Sequence, residues 1–246
     1  MGLKFKTFDS WRFSQANIES FPVPPIPKDY KTNTKLFVPK KREDLIMKYI
    51  QEAEQLTVQD DLKGAKMLYA KATTLDPYNS EIWRVLGQIY YSEGKLFEAF
   101  NCFQGYLFHR EEETQDPMFW FTLGDLYNRL EIHEYSYKVL VSTLSMGCEE
   151  DMKLRLYCKL GTVWWKLYEL KEAAEYFEKA LTSPLLTNNL SFNIFIMLGQ
   201  IEEEKGDINK AKENYLKALM LNHKNRRAQA YLAWCSYKAG DQLECK

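Results

Sequence analysis

The stretch WRVLGQIY, residues 83–90, decides the fold, because it recurs as WFTLGDLY at residues 120–127. Shorter copies follow as YCKLG at residues 157–161 and FIMLG at residues 195–199. Each copy places a large ring three residues before a Leu-Gly pair, so all three residues share one face of a helix. Glycine carries no Cβ, so a second helix can approach that face closely. The recurrence therefore predicts a chain of repeated, closely packed helix pairs.

The second helix of each pair is marked by a small residue four positions before a ring. Ala99 precedes Phe103 in this way, and Ala173 precedes Phe177. A second small residue, Ala180, follows Phe177, and the same pattern appears at Ala211, Tyr215 and Ala218. An earlier unit shows it at Ala65, Tyr69 and Ala72, ended by Pro77. We predict an array over residues 44–246, with repeats near 46–79, 80–116, 117–153, 154–191 and 192–225 and a closing helix over 226–239.

These residues resemble the tetratricopeptide repeat (TPR), whose first helix carries W-x2-L-G-x2-Y and whose second carries A-x3-F. The resemblance implies an all-α, right-handed superhelical solenoid that binds other proteins. Gly94, Gly206 and Gly240 fall where the turn between paired helices favours a positive φ.

The repeat spacing is longer than usual. Gly87 to Gly124 and Gly124 to Gly161 are each 37 residues, and Gly161 to Gly199 is 38. We expect the additional residues in links between repeats, such as 111–117 and 182–189, and therefore as loops on one rim.

That spacing is similar to the early and middle repeats of the TPR subunit of the Tup/Cyc general transcriptional corepressor. It also resembles the TPR regions of the UTX and UTY histone demethylases. The resemblance implies a nuclear adaptor that binds a WD-repeat corepressor and DNA-bound repressors without contacting DNA itself. The family's array is longer, so it implies a reduced version here.

Residues 1–43 read as a mostly irregular, basic extension rich in proline and aromatic residues. Residues 1–42 hold nine basic and three acidic residues, a net of +6, whereas the whole chain carries −1. Four prolines within residues 21–27 exclude a helix there. The extension is either a solvated tail or docks its rings and charge on the acidic array or on a partner. The run Pro39-Lys40-Lys41-Arg42 is a nuclear-import candidate.

Helical spacing also predicts a groove on the first helix of each repeat, away from the face that packs on the second helix. Trp165 stands out because Trp164 already fills the core-facing position. Trp165 is either an anchor for a partner or packed against a neighbouring repeat. The candidate groove residues are Arg84, Gln88, Tyr91, Phe121, Asp125, Asn128, Arg129, Thr162, Trp165, Lys166, Gln200, Glu203, Trp234 and Tyr237.

The sequence lacks the residues that several classes of function require. The three histidines are far apart, and no phosphate-binding, nucleotide-binding, hydrolase or metalloprotease motif occurs, so we expect no enzyme activity, metal or cofactor. The near-zero net charge argues against direct nucleic-acid binding, and the absence of an 18-residue apolar run argues against a membrane span. We also expect no signal peptide, because the N-terminal residues contain no apolar stretch of that kind. We expect no small-molecule substrate, and we interpret the five cysteines as reduced thiols.

Chaperone-binding repeats hold a carboxylate with Asn after the Leu-Gly pair, but the residues here are Gln88, Asp125, Thr162 and Gln200. We expect Asp125 to repel a carboxylate ligand, which disfavours that role. The leading hypothesis is a non-enzymatic corepressor scaffold in the nucleus, with the cytoplasm as the alternative. An adaptor of a trafficking, ciliary or ubiquitin-ligase complex and a subunit that tethers an enzyme remain open.

Overall fold

Antiparallel helix pairs follow one another along the chain. The computed structural model describes residues 40–109 and 115–240, and all regular structure within them is α-helical. The helices are α1 (Lys40–Val58), α2 (Leu62–Leu75), α3 (Ser80–Ser92), α4 (Leu96–His109), α5 (Pro117–Arg129), α6 (His133–Leu144), α7 (Glu150–Lys166), α8 (Leu170–Leu181), α9 (Asn188–Glu204), α10 (Ile208–Leu221) and α11 (Arg226–Lys238). The all-α repeat fold is therefore confirmed. The predictions for residues 1–39 and for residues 111–114 of the link at 111–117 lie outside the described residues.

The chain divides into two compact units, residues 1–113 and 114–246. In the first, α1 packs on α2 and α3 packs on α4, around a core that includes Ala53, Tyr69 and Leu86. In the second, α5 packs on α6, α7 on α8 and α9 on α10, and α11 closes against α10. Each pair buries the face that its apolar periodicity predicts.

The helix ends follow local chemistry. The side chains of Asn79, Asp116 and Asn225 cap α3, α5 and α11 by accepting hydrogen bonds from backbone N–H groups of the first turn. Gly94 and Gly206 take φ values of 75° and 84° in the turns that join paired helices. These caps and turns set where each first helix begins and how it reverses into its partner.

The Leu-Gly pairs create the close contacts that the sequence predicts. A Cβ built on Gly199 would lie 2.4 Å from the ring of Tyr215, and one on Gly161 would lie 2.9 Å from the ring of Phe177. Gly87 faces Phe103 in the same way. The second-helix ring therefore rests directly on the glycine backbone of the first helix.

Two boundaries differ from the sequence expectation. Helix α1 begins at Lys40, so residues 40–43 are helical rather than part of an irregular extension. The longer repeats do not only lengthen loops, because α7 and α9 have 17 residues each whereas α3 and α5 have 13. In the second and third of the lengthened spacings, part of the insertion adds one turn to the start of a first helix, since the N-cap residues Glu149 and Thr187 lie earlier than the repeat pattern implies.

Candidate partner-binding groove

In the first unit, the candidate groove residues share one face of α3. Arg84, Gln88 and Tyr91 are all half-buried. The Arg84 guanidinium donates to the carboxylate of Glu81, 2.6 Å from Nε, which holds it along the helix. This face is therefore polar and already ordered.

In the second unit, α5 carries Phe121, Asp125, Asn128 and Arg129. Asp125 is 5% exposed and forms an ion pair with Lys159 of α7. The carboxylate that we expected to repel a carboxylate ligand is therefore buried, and Lys159 balances its charge. Asn128 Oδ1 lies 3.1 Å from His133 Nδ1, while Arg129 is exposed.

Between α5, α7 and the start of α9 lies an open cleft of about 420 Å³. Two candidate groove residues, Phe121 and Thr162, line it. The sequence did not predict the other residues that line the cleft, which are Asp151, Leu154, Arg155, Cys158, Lys159, Leu185, Thr187 and Leu190. A volume of this size accommodates one or two large side chains of a partner.

The cleft was not predicted from the sequence because part of it is formed by the additional turn at the start of α7. Asp151 belongs to that turn, and Leu154 and Arg155 follow on the next. The link after α8 supplies the opposite wall through Leu185, which is 50% exposed. A helix lengthened at Glu150 could have been read from the acidic residues of its first turn, which favour a helix N-terminus.

Cys158 forms part of this cleft without a reactive thiol. Burial raises the pKa of Cys158 to about 11, although nearby Lys159 lowers it somewhat. The thiol is therefore protonated at neutral pH and contributes apolar surface.

A second part of the groove is organised around Glu203 of α9. Its carboxylate accepts hydrogen bonds from Trp234 Nε1 at 2.7 Å and Lys238 Nζ at 3.0 Å, both on α11. The Tyr215 hydroxyl lies 3.4 Å from its other oxygen. Burial raises the pKa of Glu203, but the hydrogen bonds from Lys238 and Trp234 outweigh it and hold the pKa below its ordinary value.

Glutamate side chains accept hydrogen bonds from both tryptophans among the candidate groove residues, Trp165 and Trp234. Trp165 is half-buried, packs beside the core between α7 and α9, and donates from Nε1 to Glu204 at 3.0 Å. Trp164 packs on Tyr137, with ring centroids 4.8 Å apart. Of the two alternatives for Trp165, the structure shows the contact with the neighbouring repeat. Part of its side chain nevertheless stays exposed to solvent. Lys166 beside it is exposed.

Gln200 and Tyr237 complete the candidate residues. Gln200 Nε2 donates to the Tyr231 hydroxyl at 3.0 Å, which joins α9 to α11. Tyr237 is 74% exposed and stacks on Trp234, itself 48% exposed. The first helices of successive repeats thus carry Thr162, Trp165, Gln200, Glu203, Trp234 and Tyr237. Hydrogen bonds join these helices, from Trp165 to Glu204, from Gln200 to Tyr231 and from Trp234 to Glu203.

Replacing Glu203 by Gln is expected to lower the free energy of unfolding by about 1 kcal/mol near neutral pH. The pKa of Glu203 is lower in the folded protein than in the unfolded chain. Its ionised form therefore contributes stability above the unfolded pKa, which is lost as the pH falls through the folded pKa. Urea unfolding at neutral and acidic pH measures this, with the exposed Glu178→Gln as control. A difference between wild type and Glu203→Gln that does not shrink in acid would contradict the prediction.

The family model of the tetratricopeptide repeat matches residues 154–183 and 192–225. These ranges correspond to the α7–α8 and α9–α10 pairs. In the described part of the chain, no helix is both long and apolar enough to cross a bilayer.

Three curated relatives match parts of the chain. General transcriptional corepressor ssn6 of Schizosaccharomyces pombe is 31% identical over 78 residues, 32% of this chain and 7% of the relative. General transcriptional corepressor trfA of Dictyostelium discoideum is 25% identical over 96 residues, 39% of this chain and 7% of the relative. Cilia- and flagella-associated protein 70 of Homo sapiens is 22% identical over 177 residues, 72% of this chain and 15% of the relative. The chain spans at most 15% of the length of these relatives.

Solved structures share the fold at low sequence identity. YrrB, described as a TPR protein with an unusual peptide-binding site, is 19% identical with a TM-score of 0.62, covering 77% of this chain and 93% of YrrB. The C-terminal part of a TPR protein from Cytophaga hutchinsonii is 15% identical with a TM-score of 0.64, covering 80% of this chain and 74% of that one. Residues 154–183 and 192–225 therefore match the tetratricopeptide repeat, and the described helix pairs share the fold of solved tetratricopeptide-repeat proteins. The exposed rings and polar groups of the groove suit a protein-binding scaffold.

Proposed function

We propose that this chain is a non-enzymatic scaffold of a nuclear transcriptional corepressor complex. It binds a WD-repeat corepressor and links it to DNA-bound repressors, without contacting nucleic acid, a membrane or a small-molecule substrate. The observation that carries the proposal is the similarity of part of the array to two general transcriptional corepressors from distant organisms.

The groove supplies surfaces for such partners. The cleft beside α7 combines the apolar Phe121 and Leu185 with the polar Arg155, so it suits an apolar anchor within a polar segment. The surface around Glu203 adds exposed rings, which are frequent anchors in interfaces. Two separate surfaces suit a linker between two proteins.

A second candidate is a subunit of a ciliary assembly in the cytoplasm. It is favoured by the match to Cilia- and flagella-associated protein 70, which extends over 72% of this chain. That match is longer than the corepressor matches but lower in identity. Both candidates use the same array as a protein-binding surface.

A tethering experiment separates the two candidates. The full chain, fused to a heterologous DNA-binding domain, is expected to repress a reporter gene that carries the matching sites. Purification of the tagged chain from the same cells is expected to recover a WD-repeat corepressor. Absence of repression together with recovery of axonemal proteins would overturn the corepressor proposal in favour of the ciliary one. The Leu185→Asp variant, which places a charge in the cleft, serves as the groove-defective comparison.

A further inference from the structure

Helix α11 and the turn before it form a basic island in an acidic array. Residues 221–239 contain Lys224, Arg226, Arg227 and Lys238 and no Asp or Glu. Residues 43–246 as a whole carry a net charge of −7. The positive charge of this segment is therefore a local property that the composition of the array hides.

The basic residues of α11 alternate with rings along one face. Arg227, Tyr231, Trp234 and Lys238 follow at spacings of four, three and four residues, which places them in one row on the helix. Arg227 lies over the Tyr231 ring at 5.4 Å, and Lys238 lies over the Trp234 ring at 4.9 Å. We call this row, together with Tyr237 stacked beside it, the α11 stripe.

The two cations of the stripe are held differently. Lys238 donates to Glu203, so its charge is already balanced. Arg227 Nε donates to the neutral Tyr231 hydroxyl at 2.8 Å, and none of the described carboxylates forms an ion pair with Arg227. Arg226 beside it is exposed. One end of the stripe therefore presents guanidinium groups that can pair with a ligand carboxylate, and the other end presents the Trp234 and Tyr237 rings.

We propose that the α11 stripe binds an acidic segment of a partner protein. The segment's carboxylates pair with Arg226 and Arg227, and an apolar side chain next to them covers Trp234 and Tyr237. Single-stranded nucleic acid also combines negative charge with stacking groups. Its phosphates would, however, continue past the rings towards Glu203 and Glu204, which hydrogen-bond to Trp234 and Trp165. A peptide can place its carboxylates at the arginine end alone.

The proposal rests on the scaffold role but not on the corepressor assignment. The test uses the full chain and a fluorescein-labelled peptide of about twelve residues in which Asp and Glu flank Leu and Phe. Fluorescence anisotropy is expected to show saturable binding that weakens as salt is raised. The same peptide with Asn and Gln in place of its acids is expected to bind about tenfold or more weakly. A labelled oligothymidylate of similar length is the nucleic-acid probe.

Variants locate the site. Arg227→Glu is expected to weaken peptide binding about tenfold, and Trp234→Ala by a similar factor. The matched control is Lys171→Glu, which reverses an exposed positive charge on the second helix α8 and is expected to leave the affinity unchanged. Tighter binding of the oligonucleotide, equal binding of the uncharged peptide, or equal effects of Arg227→Glu and Lys171→Glu would each overturn the proposal. Loss of peptide binding in Arg227→Glu with reporter repression intact would separate this surface from the proposed corepressor function.

Discussion

Replacing Tyr215 by Ala is expected to lower the free energy of unfolding of the second unit by about 3–5 kcal/mol. Tyr215 is fully buried in the core between α9, α10 and α11. Its ring covers Gly199 on one side and stacks on Tyr231 on the other, with centroids 5.2 Å apart. Removing the ring leaves a cavity beside a helix backbone that has no Cβ to fill it. The lost packing therefore weakens both the contact of α10 with α9 and its contact with α11.

Urea denaturation followed by circular dichroism at 222 nm measures this effect. Tyr215→Phe keeps the ring and removes only the hydroxyl that lies 3.4 Å from Glu203, so its cost should stay below about 1 kcal/mol. Tyr237→Ala removes a tyrosine that is 74% exposed and serves as the matched control. If Tyr215→Ala cost no more than Tyr237→Ala, the ring-on-glycine contact would not be what holds the pair together.

The recurrence of Leu-Gly before a ring on the next helix is why the fold could be predicted. Gly199 and Tyr215 are 16 residues apart, and Gly161 and Phe177 have the same separation. A contact between two such residues is local to one helix pair, so the sequence of that pair is enough to specify it. The face that carries Gln200 and Glu203 was predictable for a similar reason, because a regular helix fixes which residues share a face.

Contacts between successive repeats were not predictable in this way. The ion pair of Asp125 with Lys159 joins two first helices, and nothing in either local pattern identifies its partner. From the sequence alone we therefore expected Asp125 to repel a carboxylate ligand. The additional turn of α7 was not predicted, because the repeat pattern places the start of that repeat near residue 154, although the acidic residues of the turn favour a helix N-terminus. The cleft depends on both features and so appears only in three dimensions.

The second large effect that we expect is a loss of partner affinity when rings of the groove are removed. Replacing Phe121 and Trp165 together by Ala is expected to weaken the affinity for the proposed WD-repeat partner by about 30- to 1,000-fold, or about 2–4 kcal/mol. Phe121 of α5 lines the cleft. Trp165 lies on α7, which also lines the cleft, one turn beyond the lining residue Thr162. Large rings at the centre of an interface carry most of its binding energy. Isothermal titration calorimetry with the purified partner measures the change.

Both rings also contact the core of the second unit, so stability must be separated from binding. The variant Leu185→Asp does this, because Leu185 is 50% exposed and a charge there enters the cleft without removing core contacts. It is expected to weaken binding about tenfold or more while the melting temperature stays near that of the wild type. Phe97→Ala, which removes an exposed ring from the second helix α4, is the control for loss of surface aromatics in general. Unchanged affinity in Leu185→Asp, with weaker binding only in variants that melt earlier, would mean that Phe121 and Trp165 serve the core and that the partner binds elsewhere.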